Sequence, residues 1–168
     1  MAHVSPEVAN AITRQKTRYA RYADTKQWDK WEHEVFHPTA KFAFLDVKGA
    51  PLMVGKKPLV FDSAKAIAAY YLKFFAEVNT MHNIGPGDFE QVAPDEVRAV
   101  FGVEDQVVSK ALGLWASIRG GGYYYETWRL VDGQWRIADL RMERTYQEMS
   151  MLVKLIFGIV WLFGLSVE

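Results

Sequence analysis

The order of apolar patterns along the chain predicts an α+β fold in which an antiparallel sheet curls around helices. Two observations carry this. The first half holds segments with helical periodicity, and the second half changes to long aromatic and β-branched runs joined by short turns. A third sets the scale, because 168 residues, 50% of them hydrophobic, suffice for one domain with a substantial core.

The first helix is expected to start at Ser5, a side-chain cap followed by Pro6 at the first helical position and Glu7 near the positive end of the dipole. Val8, Ala11, Ile12, Gln15, Tyr19, Tyr22 and Ala23 make its inward stripe, while Arg14, Lys16, Arg18 and Arg21 read as a solvated basic face. Asp24-Thr25 breaks this helix, and a short one carrying Trp28, Trp31, Val35 and Phe36 follows until Pro38. A strand is expected over 40–47, then a turn at Lys48–Pro51 into a short partner strand. Ile67, Ala68, Tyr71, Leu72, Phe75 and Val78 mark the inner face of a helix over 62–78. Strands are then expected over 79–89, 96–108, 123–130 and 135–146, with Asp132-Gly133 turning the last hairpin because both residues tolerate positive φ.

Composition narrows the function. Twenty basic and twenty acidic residues cancel, so no sequence-wide field draws the chain to nucleic acid. The absence of cysteine removes disulfides, thiolate nucleophiles and zinc-thiolate sites, and fits a cytoplasmic setting. An aromatic content of 14% suits either an enclosed apolar pocket or a well-filled core.

Two short segments carry the chemistry, Tyr19-Ala-Arg-Tyr-Ala-Asp24 and Thr80-Met-His82-Asn-Ile-Gly85. If the end of the first helix meets the start of the strand, Asp24 can hold the imidazole of His82, fixing its tautomer and stabilising the imidazolium that forms when it removes a proton. Each residue also has a plain alternative: Asp24 as a helix-end cap and His82 as a hydrogen-bonded core histidine. Glu32, His33, Glu34 and His37 read as solvated polar residues rather than a metal cluster, so no metal is expected. The Gly120–Gly122 run lacks the Lys-Ser/Thr of a phosphate loop and is read as a place where the sheet bends or two backbones approach.

The Tyr19–Trp31 segment, the Thr80–Gly85 strand start and Gly122–Ile137 resemble the SnoaL-like branch of the NTF2-like superfamily, over roughly residues 8 to 146. The resemblance implies a cone-shaped α+β barrel, a curved antiparallel sheet wrapped around a long helix with an apolar cavity. It implies the chemistry of scytalone dehydratase, bile acid 7α-dehydratase and hexachlorocyclohexane dehydrochlorinase, and often a homo-oligomer, dimer or trimer. On that basis His82 matches the general base, Asp24 its orienting carboxylate and Tyr19 a pocket tyrosine. Tyr22, Phe44, Tyr124 and Glu126 are expected to meet the ligand, with Glu126 either a second acid or paired across strands with an arginine such as Arg136. The dehydrochlorinase's last-strand arginine aligns with Leu140, beside Arg141, which reaches the pocket only if a bulge shifts the register.

The chain thus divides into a domain at 1–150 and an apolar tail at 151–168. The tail reads as a lid or interface helix, with Trp161 touching ligand, or as a membrane-surface contact, since it is shorter than a bilayer span. Two functions remain: a cofactor-free lyase or isomerase acting on a hydrophobic polycyclic, polyketide or terpenoid-like molecule, or a non-catalytic binding or assembly domain.

Overall fold

The computed structural model describes residues 3–163, with the backbone alone at 157 and at 159–163. Helix α1 runs Pro6–Asp24 and is capped by Ser5, whose hydroxyl accepts from the Val8 N–H. A three-residue turn, α2 (Trp28–Lys30), leads into one π-helical turn at Trp31–Val35, and strand β1 (Phe36–Leu45) follows at once. Pro38 does not end a helix, as the sequence suggested, but sits where β1 loops away from its neighbour between Phe36 and Lys41, a place where no ladder N–H is needed.

After β1 the Asp46 side chain accepts from the Lys48 and Ala50 N–H groups, and Gly49 turns the chain at φ 78°. A small hairpin of β2 (Met53–Val54) and β3 (Lys57–Pro58) comes next, then β4 (Val60–Phe61) against β1. Helix α3 spans Ala64–Phe74, shorter than the 62–78 expected, and buries Ala64, Ile67, Ala68 and Tyr71, whereas Leu72 faces outward. Val78 already belongs to a strand. The remaining strands are β5 (Val78–Ala93), β6 (Glu96–Ser109), β7 (Gly113–Val131) and β8 (Gln134–Met149), each longer than its apolar run, because the hairpins continue past the buried part of the sheet. Asp132 and Gly133 make the last turn with φ of 50° and 73°.

The six strands lie in the order β4-β1-β8-β7-β6-β5. All neighbours are antiparallel except β1 and β8, which run parallel, so the sheet is mixed rather than purely antiparallel. Its concave face carries an aromatic core. Tyr19, Trp31, Phe36, Phe42 and Tyr71 pack within ring-centroid distances of 4.5–6.4 Å, and Trp31 at their centre is fully buried.

The largest departure from the sequence reading lies in the same core. Lys16, assigned to the solvated face of α1, is 1% exposed and its Nζ lies 2.5 Å from Glu126 Oε1. Trp128 Nε1 donates to the other oxygen of Glu126, and the ammonium sits 4.0 Å and 3.6 Å from the ring centres of Tyr19 and Tyr124. Burial pushes the lysine down and the carboxyl up, each resisted by the other, so the pair stays neutral overall wherever its shared proton resides. Gln15, one residue before Lys16, is also buried and donates to the carbonyls of Glu34 and Trp135.

The tail forms α4 (Met151–Phe163), joined to β7 through the Ser150 N–H and the Ser117 carbonyl. Val153 is buried while Met151, Leu155 and Ile156 are exposed. The side chain of Trp161 lies outside the described residues. Among the described residues, no helix is long and apolar enough to cross a membrane.

Lys16→Ala leaves Glu126 buried and unpaired and is expected to lower the unfolding free energy by roughly 3–5 kcal/mol. Lys16→Met combined with Glu126→Leu is expected to cost far less. Urea denaturation of the three proteins checks this, and a double variant no better than the single one contradicts the pairing.

Candidate active site

The C-terminal end of α1 meets the start of β5, and Asp24 becomes the joint. Its Oδ1 lies 2.7 Å from His82 Nδ1 and accepts from the Thr80 hydroxyl at 2.9 Å, while Oδ2 accepts from the His82 N–H at 3.0 Å. Lys26 Nζ in turn donates to Thr80 Oγ1. The carboxylate therefore grips the residue after Met81 by both backbone and ring. Burial raises the Asp24 carboxyl, but the hydrogen bonds and charge of His82 and the Thr80 hydroxyl outweigh it and hold it below its ordinary value. Both side chains are largely enclosed, with 13% and 14% exposed. A carboxylate facing Nδ1 places the proton there and leaves Nε2, on the opposite edge of the ring, with the free lone pair.

His82 is part of the wall of a mainly apolar cavity of about 130 Å³. Tyr19, Phe44, Tyr71, Tyr124 and Met142 line it, and the exposed Met53 of β2 stands at its rim. The Tyr19 ring meets His82 edge-on at 6.5 Å, and the Tyr19 hydroxyl donates to Tyr124 Oη at 3.3 Å, long for a bond between hydroxyls. Burial pushes both phenols up, so each stays a neutral hydroxyl able to donate.

Of the residues singled out from the sequence, Asp24, His82, Tyr19, Phe44 and Tyr124 come together here. The others do not. Tyr22 is buried in the core but does not line the cavity, and its hydroxyl donates to Glu34 Oε2 at 2.7 Å. Glu126 points inward but is engaged by Lys16 and Trp128, not by Arg136 or the cavity. Leu140 is buried in the core beside the cavity, and Arg141 lies outside, paired with Glu143 at 2.9 Å.

The reason lies in β8, which carries two bulges. One extra residue, Ala138, lets Ile137 and Leu140 both face inward, and a second, Thr145, lets Arg144 and Gln147 both do so. Simple alternation along the strand misses these shifts. An arginine does reach the cavity wall, but it is Arg144, and Asp105 of β6 stands with it at 2.7 Å. Neither was foreseen. The Gly120–Gly122 run held the signal, since a Cβ on Gly120 would meet Arg144 Nη1 at 2.7 Å and one on Gly122 the Glu143 carbonyl at 2.0 Å.

Residues 7–141 match the family model described as a SnoaL-like domain. The chain belongs to the SnoaL-like family. A protein of Gibberella zeae described as "Probable cyclase FGR4" is 36% identical over 143 residues, which cover 85% of this chain and 95% of that one. Among solved structures, the Kfla4162 protein from Kribbella flavida is similar with a TM-score of 0.72 at 20% identity, covering 89% of this chain and 99% of that one. A hexachlorocyclohexane dehydrochlorinase, type 2, is similar with a TM-score of 0.64 at 16% identity, covering 83% and 86%. These likenesses establish the SnoaL-like, NTF2-like α+β cone.

The depressed Asp24 carboxyl has a sign. Its contribution to stability is complete above the unfolded-state value of about 3.9 and is lost as pH falls through the lower folded value. The difference in unfolding free energy between the wild type and Asp24→Asn is expected to narrow as the pH falls below about 4. Urea titrations at each pH check this, and a gap that widens in acid contradicts it.

Proposed function

We propose that this protein is a cofactor-independent enzyme that removes a proton from carbon beside a carbonyl of a hydrophobic small molecule, with His82 as the base. The observation that carries the reading is the 2.7 Å contact of Asp24 with His82 Nδ1 on the wall of an apolar cavity. The likeness to a protein described as a cyclase supports small-molecule conversion rather than ligand binding alone.

His82 Nε2 takes the proton, and the C–H electron pair forms the carbon–carbon double bond of an enolate. Negative charge develops on the former carbonyl oxygen. Tyr124 supplies a hydroxyl donor inside the cavity, with the Tyr19 hydroxyl donating to its oxygen behind it, and the low dielectric strengthens each hydrogen bond. Asp24 stabilises the imidazolium without itself taking the proton.

Three outcomes share that intermediate. If a hydroxyl sits β to the new carbanion, the enolate expels it and His82 returns its proton to make water. If a second carbonyl of the same molecule lies within reach, the enolate carbon attacks it, the chain closes into a ring, and the proton goes to the new alkoxide. Otherwise the proton returns to another carbon and the product is an isomer. The shape of the bound ligand selects among them, since the same base serves all three.

Deuterium exchange tests the shared step without the natural substrate. In D2O the wild type is expected to exchange the protons beside the carbonyl of 1-tetralone above the buffer rate. His82→Ala is expected to reduce that acceleration by roughly 10²–10⁴-fold, and Asp24→Asn by a smaller factor. Exchange by His82→Ala at the wild-type rate, or no acceleration by the wild type, rejects the base. Tyr19→Phe is expected to slow the exchange by about tenfold through loss of the hydroxyl that donates to Tyr124 and strengthens it as the oxyanion donor, read by the same assay.

A further inference from the structure

The proposed chemistry leaves unexplained an ion pair on the cavity wall beside His82. Asp105 lies directly across the β5–β6 ladder from His82 and across the β6–β7 ladder from Gly120. The missing side chain of Gly120 lets the guanidinium of Arg144 reach over β7 from β8 to Asp105. Three strands thus bring a carboxylate and a guanidinium to the cavity wall beside the imidazole.

The pair is close but badly aligned for hydrogen bonding. Arg144 Nη1 is 2.7 Å from Asp105 Oδ2, yet it makes no directed hydrogen bond, and neither does Arg144 Nε nor Asp105 Oδ1. The Asp105 side chain is only 6% exposed and that of Arg144 13%. Buried polar atoms without partners are costly, so two unused donor nitrogens beside an unused acceptor oxygen mark a site whose hydrogen bonds are completed by something else.

The charge balance says what that is. Asp105 already cancels the charge of Arg144, so a bound carboxylate would meet a carboxylate as well as a guanidinium, whereas a neutral molecule offering one acceptor and one donor oxygen matches both partners. The volume adds a limit. A cavity of about 150 Å³ takes up benzene, and this one, at about 130 Å³, holds one ring, with any remaining skeleton extending past Met53.

We propose that Asp105 and Arg144 form a polar subsite that selects neutral, ring-sized hydroxy-carbonyl ligands over carboxylates, Arg144 donating to the carbonyl oxygen and Asp105 accepting from the hydroxyl. This rests on the reading of the cavity as the substrate site and deepens it by naming the substrate class. It departs from the dehydrochlorinase-type arrangement, whose arginine position is Leu140 here, because the cation comes from a different residue and arrives already balanced by an acid.

A matched pair of probes tests it by calorimetric titration. 3-Hydroxyacetophenone carries a neutral carbonyl and a hydroxyl, and 3-hydroxybenzoate presents a carboxylate on the same ring. The wild type is expected to bind the ketone at least tenfold more tightly than the acid. Asp105→Asn leaves the guanidinium unbalanced and is expected to reverse that order. His82→Ala, which loses the exchange activity, is expected to keep the wild-type order, so failure of the base leaves the selectivity standing. Equal or tighter binding of 3-hydroxybenzoate by the wild type, a measurement that needs no variant, overturns the proposal. So does an unchanged order in a folded Asp105→Asn protein.

Discussion

A lysine and a glutamate buried in an aromatic core fix the position of α1, and the rest of the site depends on where that helix lies. Lys16 reaches Glu126 on β7, and Gln15 reaches two backbone carbonyls on either side. A purely apolar helix face could slide or rotate by a fraction of a turn at small cost, because dispersion contacts have no direction. Directed polar contacts in a dry interior do not permit this, since any displacement strands a desolvated group. Eight residues, or about 12 Å of helix, separate Lys16 from Asp24. The clamp in the middle of α1 therefore sets where its last carboxylate emerges, and the same ammonium lies against the rings of Tyr19 and Tyr124 in the cavity wall.

Sequence patterns showed much of this architecture for reasons that can be named. Ser5-Pro6 and Asp132-Gly133 are local signals that need no partner, and both act where expected. The alternation in the long strands reports their buried face directly. The parallel pairing of β1 with β8 is a property of topology, which no local pattern in β1 records. Lys16 was misplaced because a helical wheel ranks residues by polarity, while burial of a charge depends on a partner 110 positions away.

The candidate site divides in the same manner. Asp24, His82, Tyr19 and Tyr124 were found as residue types with a chemical purpose. Arg144 and Asp105 were not, because their meeting rests on a bulge at Thr145 and on the missing side chain of Gly120. A bulge changes the inward face without changing composition, so neither the family likeness that pointed to Leu140 nor strand alternation beside it leads to the arginine that turns in.

The glycine run has a further consequence for how such a pocket can vary. Any side chain at Gly120, Gly121 or Gly122 would collide with β8 or with residues held on it. The β7–β8 wall is consequently a poor place for natural divergence or for a mutant library. The freedom lies opposite, in the small hairpin where Leu52, Met53 and Val54 border the cavity without taking part in the main sheet. New ligand preferences should therefore arise first in that short, tolerant segment, while the glycine-bearing wall is inherited unchanged.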